Sequence, residues 1–339
     1  MIMLRGCLVL LMVLGLECHG VAQEQPPPVK ALPEGVVRAW RAAGAQVGWM
    51  GKVRESRLLA FVERPEILLQ PIPAFRLEDP RPELLRKLPD AGMAFGLDLS
   101  FSTVTDAGLK ELAGLKSLQA LDLHSTPVTD AGLKELAGLT GLKALDLGSS
   151  PVTDAGLKEL AGLKGLQSLN FGSTKVTDAG LKELARLTDL QSLSLVDTRV
   201  TDAGLNELAG LSGLQSLLLN NTGVTGVGLK ELAGLRSLQS LHLHRTQVTD
   251  AGLRKLAGLT GLQTLNLGHT QVTDAGLKEL ARLQRLQSLM LHNTQVTDAG
   301  LKELAKLKGL QSLTLDNTQV TYAGLAELRK RLPDCRIFP

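Results

Sequence analysis

Aromatic residues are scarce. Two tryptophans, one tyrosine and six phenylalanines occur in 339 residues, and six of these nine (Trp40, Trp49, Phe61, Phe75, Phe95, Phe101) lie in the first third. The chain beyond must build its interior from aliphatic side chains, and a tight surface site rich in aromatic anchors is not expected there. Cysteine is nearly absent: Cys7 and Cys18 stand at the N-terminus and Cys335 alone near the C-terminus, which excludes a disulfide framework. Charge of one sign is lacking too. Thirty-seven basic and 34 acidic residues give a net +3, without the Lys/Arg cluster that tracks phosphates, so nucleic acid is not a partner. No apolar run approaches the ~20 residues of a membrane span.

The longest such run, Cys7 to Leu16, follows Arg5 and precedes the small residues Gly20 and Ala22. This is the pattern of a secretory leader cleaved after Ala22. Residues 1–22 are therefore read as a leader and the protein as exported, to the periplasm, cell envelope or outside. Glu17 stands where a lipoprotein signal carries a small residue, which argues against a lipid anchor at Cys18. Residues 23–33, with Pro26, Pro27 and Pro28, read as an extended tether.

What is abundant is leucine, and it is periodic. Val-Thr recurs ten times from Val104 to Val320 at an unbroken 24-residue spacing, so the chain is an array of one small unit. Each unit holds two periodicities. Leu121 and Leu123 alternate with polar Asp122, a short strand with one buried face. Leu133, Leu136 and Leu139 then recur three apart, the stripe of a short helix. Thr129 caps that helix, Asp130 places negative charge at its N-terminus, and Gly132 brings it close to the strand. A helix that crosses back after every strand makes successive strands parallel. One unit cannot enclose its own leucines, so neighbours complete the core.

The pattern Leu118-x-x-Leu121-x-Leu123-x-x-Thr126-x-Val128-Thr129-Asp130-Ala131-Gly132-Leu133 resembles the leucine-rich repeats of ribonuclease-inhibitor type, including long bacterial arrays and the repeats of F-box proteins. The resemblance covers residues 93–339. It implies an α/β fold, a right-handed horseshoe solenoid with strands on the concave face and helices on the convex face. Thr126 stands where such repeats often carry Asn, so a threonine ladder between strands is expected in place of an asparagine ladder. Residues 23–92 contain no F-box, and a ubiquitin-ligase role does not carry over.

The array is assigned to residues 93–333 and a capping strand to 334–339. Residues 34–92 differ in kind: a helix over 34–43, candidate strands over 47–50 and 58–62, then prolines 65, 71, 73, 80 and 82 breaking the chain. They read as a cap over the first repeat or as a separate small domain.

Function is expected on the concave face, where residues vary while the frame does not. The column between the strand leucines holds Asp98, Asp122 and Asp146 near its start and His242 later. The next columns hold His124, His244 and His292, then Arg245, His269 and Asn293. The three acids admit four readings: solvated carboxylates, a cation site, a seat for a basic partner, or, most remotely, a hydrolase pair. The histidines admit a pH-sensitive or anion-binding patch, a transition-metal site on His242 and His244, or ordinary exposed polar positions. Like charges at strand spacing should push the acids up and the histidines down in pKa, making the C-terminal half more positive in mild acid. No Ser/His/Asp or Cys/His arrangement, glycine loop or zinc spacing is present. No catalytic residue, cofactor or metal is assigned. The reading is a monomeric, non-catalytic scaffold for a protein or glycan; the alternative is a structural packing element.

Overall fold

A computed structural model describes residues 31–53, 59–63 and 68–339; the leader and most of the tether lie outside the described residues. In every repeat the pleat sends the two strand leucines to one side and the residue between them to the other, so a three-residue strand suffices to bury a leucine pair. The strands after the N-terminal region are β4 (Phe95–Asp98), β5 (Leu118–Asp122), β6 (Ala144–Asp146), β7 (Ser168–Asn170) and β8 (Ser192–Ser194). The series continues with β9 (Ser216–Leu218), β10 (Ser240–His242), β11 (Thr264–Asn266), β12 (Ser288–Met290), β13 (Ser312–Thr314) and β14 (Arg336–Phe338). From β4 to β14 all pairs are parallel, and equivalent residues of successive repeats face each other, as in Leu193↔Leu217 and Leu217↔Leu241.

The sheet stays open, and the leucine columns form one continuous core from Trp40 to Cys335. Short helices such as Asp154–Leu160 and Asp178–Leu184 pack on its other side. Helices need about 8–10 Å each and strands about 4.8 Å, so the stack curves with the strands inside. Among the described residues no helix is long and apolar enough to cross a membrane. Burial pushes the Cys335 thiol up to about 11, which leaves it unreactive.

The Thr-Asp-Ala-Gly motif does more than cap a helix. Thr153, Thr177, Thr201, Thr273 and Thr297 do accept an N–H from two residues on, as at Thr129. The aspartate, however, reaches into the next repeat. Asp154 Oδ1 accepts the backbone N–H of Thr177 at 2.8 Å and its Oδ2 accepts the Thr177 hydroxyl at 2.7 Å. The same pair of bonds joins Asp106 to Thr129, Asp130 to Thr153, Asp178 to Thr201, Asp202 to Thr225, Asp250 to Thr273, Asp274 to Thr297 and Asp298 to Thr321. Gly132 serves this link and not a helix–strand approach: a Cβ there would lie 2.3 Å from Asp106 Oδ1. One link is missing. Gly226 replaces the aspartate, so Thr249 faces backbone, the following helix is a 3-10 helix over Gly228–Gly234, and Gly226 and Gly252 touch directly.

The expected threonine ladder does not form. Thr126, Thr174, Thr198, Thr222, Thr246, Thr270 and Thr294 each donate to the carbonyl three residues earlier in their own repeat, at 2.5–2.7 Å. A hydroxyl has one donor on a short arm, whereas an asparagine amide has two donors and the reach to serve a neighbour. The bond closes a local turn whose tip residue takes a left-handed conformation in every repeat, from Phe101 (φ 58°) to Asn317 (φ 53°).

The N-terminal region joins the same sheet. Helix α1 (Glu34–Ala42) leads into β1 (Gln46–Val53), which pairs antiparallel with β2 (Leu59–Val62) and β3 (Leu68–Arg76). Contrary to expectation, Pro71 and Pro73 lie inside a strand. They fall where β3 runs past β4, which pairs only with residues 74–76, so a missing N–H disrupts no ladder there. Trp40 stacks on Phe75 at 4.3 Å between centroids, both meet the edge of Phe95, and Trp40 Nε1 donates to the Pro89 carbonyl. The β1–β2 hairpin also lies over the opposite, concave face, where Met50, Phe61 and Ala74 pack with Ala120 and Ala144.

Two stability outcomes follow. Leu217→Asp puts a charge into the fully buried column and should cost on the order of 4 kcal/mol or more, against about 1 kcal/mol or less for His244→Ala, a half-buried side chain on the concave face; equal melting temperatures would refute the assignment of faces. Thr177→Val should cost about 1 kcal/mol by breaking an inter-repeat bond, while Thr249→Val, opposite Gly226, should be near neutral. Urea melts of the two variants test this.

Candidate functional site

On the concave side the register stacks Asp98, Asp122 and Asp146 on adjacent strands. They are not a solvated row: their exposures are 1%, 7% and 5%. Strands about 4.8 Å apart leave little space between outward side chains, and the N-terminal hairpin covers this end. Asp98 is held by Arg76 of β3, with Nε at 2.6 Å, and the Arg76 guanidinium also lies over the Phe61 ring at 4.4 Å. Asp146 accepts both from the Asn170 amide at 2.9 and 3.0 Å and from the Gly148 N–H. His124 Nδ1 stands 3.6 Å from Asp146. Among the described residues, the His124 N–H donates to the Asp122 carboxyl at 2.9 Å. Burial, then the fields of Asp146 and Asp98, push its pKa well above the usual carboxylate range. A buried row with one member salt-bridged gives no substrate access, so the hydrolase and solvated-acid readings both fall.

The histidines divide. His242 is mostly enclosed, and its Nε2 meets Ser240 Oγ at 3.1 Å; burial pushes its pKa down to about 4. It is not one of the three histidines that gather on this face, where the sequence offers His242 with His244 as one of its alternatives. His244, His269 and His292 instead gather across three repeats, with His292 Nε2 and His244 Nδ1 3.2 Å apart. Burial first, then His292, His269 and Arg245, push His244 down to about 4; burial and His269 lower His292, against the opposing pull of Asp316. The downward direction is the expected one, but at about 4 neither His242 nor His244 gains charge in mild acid, and the pH-gated anion patch is withdrawn for them.

Most exposed variation lies one column further on, at the left-handed turn tips: Phe101, Ser149, Ser173, Asp197, Asn221, Arg245, His269 and Asn317 are exposed, and Asn293 is half-buried. They form a ridge along the C-terminal ends of the strands. Neighbours on it hydrogen-bond to one another, as Asn221 does to Asp197 and Asn317 to Asn293. Phe101 is 71% exposed, its ring edge-on to His124 at 5.2 Å. Sequence reasoning passed over Phe101 as part of the N-terminal aromatic group. The available signal was its position, in register with Arg245 and His269. Arg76 carried no comparable signal, because only the path of β3 brings it to Asp98.

Asp122 generates a pH outcome. The folded protein holds that proton more tightly than the unfolded chain, so stability falls as pH rises through the folded-state pKa, and no penalty remains below about pH 4. Asp122→Asn keeps the acceptor for His124 N–H and should raise the melting temperature at pH 7, the gain shrinking to nothing near pH 4. A destabilised variant at pH 7 would contradict a carboxyl whose ionisation is opposed by burial and by its two acidic neighbours.

Comparison with known proteins bears on the repeats and the fold. A family model described as leucine-rich repeat matches residues 97–113, 114–137, 139–161, 166–185, 234–257 and 259–281. No curated protein matches the chain. Among solved structures, an internalin from Listeria monocytogenes is 25% identical, with a TM-score of 0.51 over 76% of this chain and 81% of its own. Internalin C2 of the same species is 24% identical over 90% of this chain and 100% of its own, with a TM-score of 0.43. A leucine-rich-repeat protein of Leptospira interrogans is 22% identical over 78% and 88%, with a TM-score of 0.49. The periodic leucine core, the open parallel sheet, the family-model match and the likeness to the first internalin converge: the chain carries leucine-rich repeats and folds as a leucine-rich-repeat solenoid.

Proposed function

We propose that this chain is an exported, non-catalytic scaffold that binds a partner along the turn-tip ridge and the uncovered part of the concave face. The observation that carries the reading is the contrast between columns. The leucine, threonine and aspartate columns repeat almost unchanged and are spent on the fold, while the ten positions of the ridge, mostly exposed, carry six residue types: Phe, Ser, Asp, Asn, Arg and His. A frame that holds a varied row of side chains at fixed spacing suits recognition of an extended surface. The partner class is a protein, with a glycan as the other chemistry that a polar, hydrogen-bonding ridge admits. Phe101 is the one large apolar anchor on it. Export rests on the leader at residues 1–22, and residues 34–92 serve as the cap. We read the repeat as the ribonuclease-inhibitor type on its 24-residue period.

Photo-crosslinking residues placed at Ser149 or Ser173 on the ridge, compared with Lys182 or Lys278 on the convex helices, test this in the native envelope. One discrete crosslinked species from the ridge positions only is expected. Equal crosslinking from both faces, or none from the ridge, would favour a packing element without a specific ligand. Phe101→Ala should weaken capture of the crosslinked partner about tenfold or more with an unchanged melting temperature.

A further inference from the structure

The ridge and the column beside it place three imidazoles from three consecutive coils within reach of one ion. One ligand nitrogen from each of His244, His269 and His292 lies within 4.8 Å of the others. The ring centroids of His244 and His269 are 4.9 Å apart, those of His244 and His292 5.1 Å, and those of His269 and His292 5.6 Å.

Two features show how the fold assembles the group. His244 and His292 occupy the same column two repeats apart, where side chains would normally be separated by the intervening residue. That residue is Gly268, and the His292 ring lies across it: a Cβ on Gly268 would stand 2.2 Å from the His292 Cε1. The missing side chain is what lets His292 fold back to His244. The backbone beneath is fixed by the repeat ladder. The His244 N–H donates to Asn220 Oδ1 at 2.9 Å, that of Gly268 to Asn266 Oδ1 at 3.0 Å, and that of His269 to the His292 carbonyl at 2.9 Å.

We propose that His244, His269 and His292 form a binding site for one divalent transition-metal ion, of which zinc is the type. The distances fit. With Zn–N bonds of 2.0–2.1 Å, two tetrahedral ligand atoms are about 3.3–3.4 Å apart, close to the 3.2 Å between His292 Nε2 and His244 Nδ1. His269 is exposed and closes the third position by a side-chain adjustment, and the fourth position is left to water or to a donor from a bound partner. Three nitrogen donors select zinc, nickel or copper over calcium and magnesium, which take oxygen. His242 stays outside the site on Ser240. The three ligands come from three separate repeats, at spacings of 25 and 23 residues, so no short motif announces them.

Isothermal titration of the full chain with ZnCl2 tests the site, read as the difference between the wild type and the triple variant His244→Ala/His269→Ala/His292→Ala. One additional zinc per chain is expected in the wild type. His292→Ala should weaken it by more than the roughly 10–100-fold typical of losing an orienting partner, and His242→Ala should leave it unchanged. Gly268→Ala is the decisive variant: it retains all three histidines but blocks the path of the His292 ring, and it should weaken binding comparably. Circular dichroism of each metal-free variant verifies folding. Cobalt(II) added to the unaltered chain should give the intense visible bands of a nitrogen-ligated tetrahedral ion. No extra zinc in the wild type, or binding unaltered by both Gly268→Ala and His292→Ala, would identify the cluster as two neutral rings sharing a proton and overturn the proposal. So would an octahedral cobalt spectrum.

Discussion

Every coil of this solenoid depends on burial that only the next coil can complete. The leucines of one repeat, at positions such as Leu193, Leu195, Leu205 and Leu208, are fully enclosed, yet half of what encloses them belongs to a neighbour 24 residues away. Burial of apolar surface supplies the drive, and strict conservation of length within the array keeps the columns aligned. The aspartate links then add direction to an otherwise non-directional attraction. They join two coils through a charge-assisted pair on the outer side, opposite the strand ladder, so each coil is pinned on both of its faces.

How far the residues revealed this in advance varies with the kind of interaction. The leucine alternation, the threonine caps and the parallel stacking are properties of one repeat read alone, and a 24-residue pattern displays them ten times. Links between repeats are a different matter. Asp154 looks like a helix-dipole residue in the sequence because its partner, Thr177, is the same residue type that its own repeat offers. Thr126 suggested a ladder because asparagine makes one, and only the length of the hydroxyl arm decides otherwise. Pro71 and Pro73 broke the chain on paper but sit in a strand, since the extent of β4 determines whether their missing donors matter.

The candidate surface followed the same division. The columns were identifiable from spacing, but their accessibility was not. Asp98, Asp122 and Asp146 are covered by a hairpin whose docking required small residues at Gly96, Ala120 and Ala144, where later coils carry serine or threonine. That change of column composition was present in the sequence and marks the limit of the covered zone. The meeting of His244 with His292 across Gly268 depended on an empty position, which composition does not flag.

The near-identity of the coils has a consequence for folding. An array whose neighbours present the same aspartate, the same threonine and the same leucines is nearly degenerate under a shift of one whole repeat, and mispairing of similar units is a characteristic error of such chains. The degeneracy is broken inside the array by Phe171 in a leucine column and by Gly226 in the aspartate column, and again at the N-terminal end. At that end a register shift puts Phe95 opposite Leu118, in a column that holds leucine elsewhere, and the Trp40–Phe75 stack meets its edge. The aromatic residues crowded at the N-terminal end thereby act as the origin from which the count of coils begins.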